Sequence, residues 1–586
     1  MFDLSEGQRI AAAWFGLAPL VWGWIVAASA LVALGLVVAA PWPRWLAPRA
    51  DLPEEPDAEA VRVWTWRVVG AALVLHAPGF LGAFNIFDDQ RQITADKFIT
   101  AASAADVWTA AFGNYRGTNQ ELMYLSFQAN WALSEDTYAG WYLVHWLLLV
   151  PLLWLVARVA TWLSGSRIAG PAAAALFATT PLVSELMGWI SVRSHLFGLV
   201  FTLASVAAWA AYREGTGARR WAWLAASALL FAGSQLSKPI FLYLPVWLVL
   251  FDRFEGRRDW GRMVLDKLPH AIVGGAFLYK ILALGAGTRL VKPTPLGGSY
   301  YHTALQDLNL VVEYGRTLFV PSQTGILPAY NVALGWFTVA GTPMVGVNGF
   351  APLASAIVLA SVAAIAALAW VRAGWRLPAL WLAGSAVTLA TVLNVPFRGT
   401  AAAFEYRYTL SAQVLTAVLL AAAWVGLRRT VWGSWWPRGL WVVAIGVLAW
   451  RGAVTVQNTA AWRTSESFWV RNAALYPDTY FSNYYAGKAL NRADRHVEAY
   501  AYLQRALVFH NGDDMLFKRL GDCEYDLKRF SDAREHWASY FLRNPSKVTD
   551  GYRRRFGEVG LDLEAERQRR RGQWTTSPVR EGDPGE

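Results

Sequence analysis

The chain has 586 residues, is 55% hydrophobic and only 16% charged, and has a mean hydropathy of +0.27. Soluble domains carry roughly 25% charged residues, so this composition excludes an ordinary soluble enzyme. The net charge of +11 is not a nucleic-acid footprint, because much of it lies in short loops between apolar runs, where Lys and Arg mark the cytoplasmic side of a membrane.

A bilayer-spanning helix needs about 20 apolar residues, and runs of that length recur down the chain. The short alternating segments of a membrane β-barrel are missing. The expected fold class is all-α: a polytopic transmembrane helical domain followed by a short α-solenoid. The single cysteine, Cys523, excludes an intramolecular disulfide.

The N-terminus reads Met1-Phe2-Asp3-Leu4-Ser5-Glu6, acidic where a cleaved signal peptide is basic. Residues 1–61 form an extra N-terminal membrane segment and a cytoplasmic linker. The apolar run from Ile10 to Ala40 is too long for one ordinary span. Spans are predicted at 20–40, 63–84, 138–160, 168–188, 194–212, 221–237, 239–251, 269–288, 350–371, 376–394, 406–427 and 438–456. The membrane domain proper is 62–456. Its basic connections include Arg213–Arg220, Asp252–Lys267 and Arg428–Arg438, all on one side, which is therefore cytoplasmic. The other side holds loops 85–137 and 289–349 and everything after the last span. The 33 tryptophans and 22 tyrosines suit interfacial belts.

After the last span the composition turns polar. Two segments align at an offset of 34: Gly487 with Gly521, Ala499 with Ala533, Leu503 with Trp537, Ala506 with Tyr540. That is the tetratricopeptide period. Helices are predicted at 480–493, 496–509, 514–527 and 530–543, with 549–572 capping the stack. Residues 457–572 make up this domain, which would bind a peptide or partner protein. Residues 573–586 form a Pro/Gly/Glu-rich disordered tail.

Asp88 and Asp89 open the first long loop, directly after an apolar span. Carboxylates are costly in hydrocarbon, but at its surface they stay ionised and can meet a lipid-linked substrate. Simply opening a hydrophilic loop is the bland alternative. Further along are Tyr115-Arg116, the turn Val192-Arg193-Ser194-His195, then Leu236-Ser237-Lys238-Pro239 and Phe404-Glu405-Tyr406-Arg407-Tyr408. Each cation alone reads as a snorkelling side chain. Together, Arg193, Lys238 and Arg407 fall on the membrane face that holds the Asp pair. A phosphate leaving group wants such cations. A carboxylate there would take a proton from an acceptor hydroxyl as it attacks an anomeric carbon. No phosphate-binding loop, zinc spacing or serine nucleophile motif is present. A transporter would also place charges inside the membrane, but it has no evident need of a repeat domain.

These motifs resemble the GT-C superfamily of polyprenyl- or dolichyl-phosphate-sugar-dependent glycosyltransferases, in the protein O-mannosyltransferase-like branch with C-terminal tetratricopeptide repeats. Phe87-Asp88-Asp89 matches its Asp-Asp loop, and Leu125-Ser126-Phe127-Gln128-Ala129-Asn130 its Leu-Ser-Phe-x-x-Asn. Gly117-Thr118 replaces Pro-Leu after Tyr115-Arg116. His195 and Pro239 stand where relatives carry acids.

The resemblance implies Asp88 as catalytic base, with Asp89 orienting substrate or sharing the role. It implies Arg193, Lys238 and Arg407 at the lipid phosphate, and Arg116 and Glu121 on the acceptor side. His195, Glu405, Tyr301 and His302 are further candidates for the acceptor or sugar side. Some relatives use a divalent cation (Mg or Mn) and some none. Any such ion would fall to Asp88 and Asp89, and the residues leave its presence open. The implied reaction moves a sugar, with inversion, from a polyprenyl-phosphate donor to protein hydroxyls. The membrane is expected to be a bacterial cytoplasmic (inner) one, with the repeats on its periplasmic side. Two alternatives stand beside this reading: transfer to a lipid or surface glycan, and an inactive scaffold that binds partners through its repeats.

Overall fold

A computed structural model describes residues 56–281, apart from Phe87, Asn114, residues 116–119 and Arg258. It further describes isolated positions between 307 and 319, Ala360, and residues 376–393, 406–430, 436–477, 479–509 and 514–570. The expected spans at 20–40 and 350–371 and nearly all of loop 289–349 lie outside these residues. The described residues are helical, and the chain divides into two compact units between Thr464 and Ser465.

In the first unit, α1 (Ala58–His76) starts where the Asp57 side chain accepts from the Ala60 N–H at 2.6 Å. The loop from residue 85 to 137 is largely folded. It holds a π-turn at Gln90–Thr94, a short helix at Lys97–Thr100, α2 (Ala104–Phe112) and α3 (Glu121–Ser134). A reciprocal Ser103–Asp106 capping box opens α2.

Next comes α4 (Tyr138–Ser164), which closes on Gly165 in the left-handed region at φ 66°. The predicted span 168–188 is two helices, α5 (Ala169–Ala178) and α6 (Pro181–Gly188), because Pro181 lacks the N–H a continuous helix needs. Then follow α7 (Arg193–Glu214), α8 (Gly217–Ser237), α9 (Leu244–Phe254), α10 (Leu268–Tyr279), α11 (Arg376–Ala390), α12 (Leu410–Thr430) and α13 (Trp436–Ala461). The short 239–251 piece is interrupted, as its prolines suggest, into a 3-10 turn (Pro239–Phe241) and α9, which carries Pro245 in its first turn.

Three described helical stretches are long and apolar enough to cross a membrane: Tyr138–Ser164, Ile190–Glu214 and Tyr406–Gly426. The chain is thus an all-α, multi-pass membrane protein. Small residues let α7 and α8 approach closely. Thr202 and Ser234 share a hydrogen bond at 2.8 Å, and Ser205 and Ser227 one at 3.1 Å, all four side chains fully buried.

Helices alternating in direction collect their ends in two places. At one end, buried Asp252 pairs with Arg213, Lys267 and, at 3.3 Å, Arg257. Trp162 Nε1 donates to Glu255 at 3.0 Å beside them. At the other end lie the loop carrying Asp88 and Asp89, the start of α7, the end of α8 and the start of α12.

The second unit holds α14 (Ser465–Leu475), α15 (Tyr480–Arg492), α16 (His496–Val508), α17 (Met515–Asp526), α18 (Phe530–Phe541), α19 (Asp550–Val559) and α20 (Leu563–Arg570). The α15–α18 bounds match the predicted helices within two residues. The period of 34 is present in the backbone itself. Asp494 and Lys528, the turn residues of the two pairs, both have positive φ (57° and 61°). The N–H groups that follow reach back to equivalent carbonyls, Arg495 to Leu490 at 3.0 Å and Arg529 to Glu524 at 2.8 Å. Gly487 packs under Leu503, and Gly521 under Trp537. Cys523 is buried in this core, and burial pushes its thiol up to about 12.

Candidate functional site at the start of α7

The 3-10 turn Ile190–Val192 and the first residues of α7 are the hub of the site. Asp89 is fully buried against this turn. Its Oδ1 accepts from the Ser191 N–H at 2.8 Å and the Ser191 hydroxyl at 2.5 Å, and its Oδ2 from the Asn85 N–H at 3.0 Å. Burial pushes the Asp89 carboxyl up to about 6, the Asp88 charge adding to the rise and the hydrogen bonds opposing it. One Asp89 oxygen thus holds the loop to the turn, and the other closes the loop on itself at Asn85. Asp88 is half-buried beside it, and its carbonyl accepts from the Gln92 N–H at 2.8 Å. With Asp89 so engaged, the pair does not present two free carboxylates to a divalent ion. Among the described residues, no three His, Cys, Asp or Glu side chains gather as a metal site.

The three cations do not form one cradle. Arg193 is fully buried and turned toward α3 and α4. It donates to Asn130 Oδ1 at 2.8 Å, the Trp141 carbonyl at 3.2 Å and the Ser126 hydroxyl at 3.3 Å. Its guanidinium lies 5.1 Å from the Phe127 ring centre and 5.3 Å from that of Trp141. Arg407 and Lys238 lie toward another face of α7, where His195 feels the charge of both. Arg407 sits 4.6 Å from the Trp189 ring centre and pairs with Glu185 at 3.4 Å. The His195 ring lies 6.2 Å from that of Tyr408. The turn therefore separates Arg193 from the side of α7 on which Lys238 and Arg407 lie near His195.

An apolar cavity of about 690 Å³ opens between α3, α4 and α7. Leu122, Ala129, Leu148 and Phe201 line it, with Arg193, Ser126 and Asn130 at its polar wall. Glu121, buried at the start of α3, is paired with Lys280 just past α10. Tyr115 donates to both Asp96 oxygens at 3.0 and 3.2 Å and stacks on Phe98 with 3.5 Å between ring centres. Arg116, Tyr301, His302 and Glu405 lie outside the described residues.

Glu185, Lys280 and Asp96 are not among the residues the sequence singled out, and Asn130 entered only as the last residue of the Leu-Ser-Phe-x-x-Asn match. Glu185 carried a signal: it is the one acid inside the predicted span 168–188, where an intramembrane carboxylate asks for a partner.

Two curated proteins of Drosophila melanogaster are related to the chain over part of its length. One is named protein O-mannosyl-transferase Tmtc2, 30% identical over 192 residues, 30% of this chain and 20% of the relative. The other is named protein O-mannosyl-transferase Tmtc1, 31% identical over 166 residues, 27% of this chain and 19% of the relative. The chain thus spans about a fifth of the length of the curated relatives it matches. No family model matches it, and no solved structure does. The partial homology gives a distant, family-level link to membrane glycosyltransferases of the GT-C type. Both relatives are animal proteins, which overturns the expected bacterial cytoplasmic membrane with periplasmic repeats; the multi-pass membrane character stands.

Proposed function

We propose that this chain is a GT-C-type membrane glycosyltransferase that moves a sugar from a polyprenyl-phosphate donor to a protein hydroxyl, with inversion. The relatives' names make a mannosyl group the first donor to test. The observation that carries the reading is the binding of the Asp88–Asp89 loop to the Ser191 turn, next to Lys238 and Arg407.

In this reading Asp88 is the base. It takes the proton of the acceptor hydroxyl as that oxygen bonds to the anomeric carbon. The bond from that carbon to the phosphate oxygen breaks, and the electron pair leaves with the phosphate. Lys238 and Arg407 stabilise the charge that develops there. Arg193 acts from behind, its guanidinium closed in by Asn130, Ser126 and Trp141. The apolar cavity beside it offers a berth to the lipid chain. The 34-residue helix pairs are read as tetratricopeptide repeats, which hold the acceptor polypeptide.

The test is reconstitution of the full chain in liposomes with polyprenyl-phosphate-mannose and an acceptor polypeptide, followed by mass spectrometry. A hexose added by the wild type and not by Asp88→Asn supports the reading. Equal transfer by both removes Asp88 as base, and no transfer with any lipid-phosphate sugar removes the transferase reading.

A further inference from the structure

The membrane unit carries excess positive charge at its Asp252 end. Residues 213–220 and 252–267 together hold eight Lys or Arg and five Asp or Glu. Asp252, Glu255 and Asp266 are occupied by Arg213, Arg257 and Lys267. Arg253 has no carboxylate partner among the described residues. It donates to the Arg257 carbonyl at 2.6 Å, and its guanidinium lies 5.3 Å from the Trp260 ring centre. Among the same residues Arg262, its side chain 79% exposed, pairs only with exposed Asp259, at 3.4 Å. An exposed pair of this kind contributes little, so neither guanidinium is neutralised within the fold.

Apolar surface runs beside these cations. Trp260, Val264, Leu268 and Ile272 are all exposed and recur every fourth residue, from the short helix Trp260–Leu265 into α10. Met263, Lys267 and His270, on the opposite face, are buried. α10 carries no Asp, Glu, Lys or Arg, and its exposed face suits hydrocarbon. The same stripe continues into the short helix, so one bilayer meets both. Trp260, at the far end, then falls at headgroup depth, where Trp is enriched. The start of α8 repeats this arrangement: Trp221 is exposed, 5.6 Å from the Arg220 guanidinium. Arg220 donates to the Tyr212 hydroxyl at 3.1 Å, and that hydroxyl to Asp266 at 2.6 Å, which ties the two segments together.

We propose that Arg253, Arg262 and Trp260 form a surface that binds the headgroups of anionic phospholipids, with the apolar stripe seated among the acyl chains. Guanidinium forks match phosphate oxygens. Unneutralised cations flanked by an exposed apolar stripe fit an amphiphile better than a soluble acidic polypeptide, which would leave the stripe in water. Basic connections between spans mark the cytoplasmic side, and that leaflet carries the anionic lipids. The surface lies at the other end of the helices from the Asp89–Ser191 clamp. It is independent of the transferase reading, and Asp88→Asn binds the lipid as the wild type does.

The test titrates the full chain in neutral detergent with phosphatidylserine or phosphatidylcholine and counts bound lipid by native mass spectrometry. Phosphatidylserine is expected to bind more tightly. Arg253→Gln and Arg262→Gln should each weaken it about fivefold and leave phosphatidylcholine binding unchanged. Arg262→Gln keeps the test sound if Arg253→Gln folds poorly, because the Arg262 side chain is largely in solvent; its melting temperature should equal that of the wild type. Arg553→Gln, in the second unit, is expected to change nothing. Equal binding of the two lipids overturns the proposal, as does unchanged phosphatidylserine affinity in Arg262→Gln. Equally tight binding of glycerophosphoserine, which has no acyl chains, would make this a soluble phosphate site and overturn it too. So would displacement of the lipid by polyglutamate, which would assign the surface to an acidic protein.

Discussion

Asp89 and Ser191 stand 102 positions apart and meet through two hydrogen bonds onto one carboxylate oxygen. This clamp joins the loop after α1 to the turn that opens α7. It divides the acidic pair into a buried member that holds the loop and a half-buried member, Asp88, which the proposed reaction takes as base.

The division is testable by comparing two isosteric changes. Asp89→Asn weakens a buried charged hydrogen-bond set and should cost about 1–3 kcal/mol of stability, seen as a lower melting temperature in detergent. Asp88→Asn should leave melting unchanged and lower transfer by about 10²–10⁴-fold. If Asp88→Asn melts low while Asp89→Asn melts normally, the roles are reversed.

The Asp89 carboxyl also sets a pH dependence. Its ordinary value is 3.8 and its folded value about 6, so between these the folded state holds the extra proton. Stability from this group is complete below the lower value and is lost as pH rises through the upper one. The full swing is on the order of 3 kcal/mol. Wild type relative to Asp89→Asn should therefore be more stable at pH 5 than at pH 8, measured by chemical denaturation of the two proteins in parallel. A difference that does not change with pH would mean the carboxyl is not shifted upward.

Arg407 and Glu185 test whether a cation serves the fold or the phosphate. Their side chains are 11% and 3% exposed. Breaking such a pair from one side costs about 3–5 kcal/mol, because it strands a buried charge, whereas replacing both partners is often neutral. Arg407→Leu should thus fold poorly, and Arg407→Leu with Glu185→Leu should recover its melting temperature. The double variant should still bind lipid phosphate more weakly than wild type in a vesicle-flotation assay. If it binds as well as wild type, Arg407 is structural only.

Much of the architecture was legible because it rests on local periodicity. The second unit's helices followed from Gly487, Gly521 and the alanines at a spacing of 34, and close packing at those glycines is what the structure has. The break at Pro181 was missed because a continuous apolar run masks a missing N–H until the chain is folded, whereas the short piece with Pro239 and Pro245 already reads as interrupted. The site was legible only in part. Motif order indicated that Asp88, Arg193, Lys238 and Arg407 share one end of the helices. It could not show that Arg193 turns to Asn130 while Arg407 turns to Glu185, because which face of α7 each meets depends on packing between distant segments. Asp89 shows the same limit, since nothing in Asp88-Asp89 says which acid the Ser191 turn takes.

Close packing in the second unit gives a prediction independent of the chemistry. A Cβ at Gly487 would stand 2.5 Å from Leu503 Cγ and 3.1 Å from the Ala499 carbonyl oxygen. Overpacking of this kind costs about 1–3 kcal/mol. Gly487→Ala should speed amide exchange along α15 and α16, read by mass spectrometry, while leaving α7 and α8 in the other unit unchanged. Exchange that rises equally in both units would mean that they unfold together.

The cavity between α3, α4 and α7 gives the last test, because an apolar space of about 690 Å³ with Arg193 at its wall suits a prenyl chain better than a sugar. Ala129 lines this space and is only partly buried, so Ala129→Trp can fill it without entering the Asp89–Ser191 clamp. If the lipid chain lies there, this variant should raise the KM for a long-chain polyprenyl-phosphate sugar and leave that for a short-chain, water-soluble analogue near the wild-type value. Melting should stay close to wild type, since the ring enters open space. A KM that rises equally for both donors would place the sugar or phosphate in the cavity, and an unchanged KM for both would leave the lipid chain elsewhere on the membrane face.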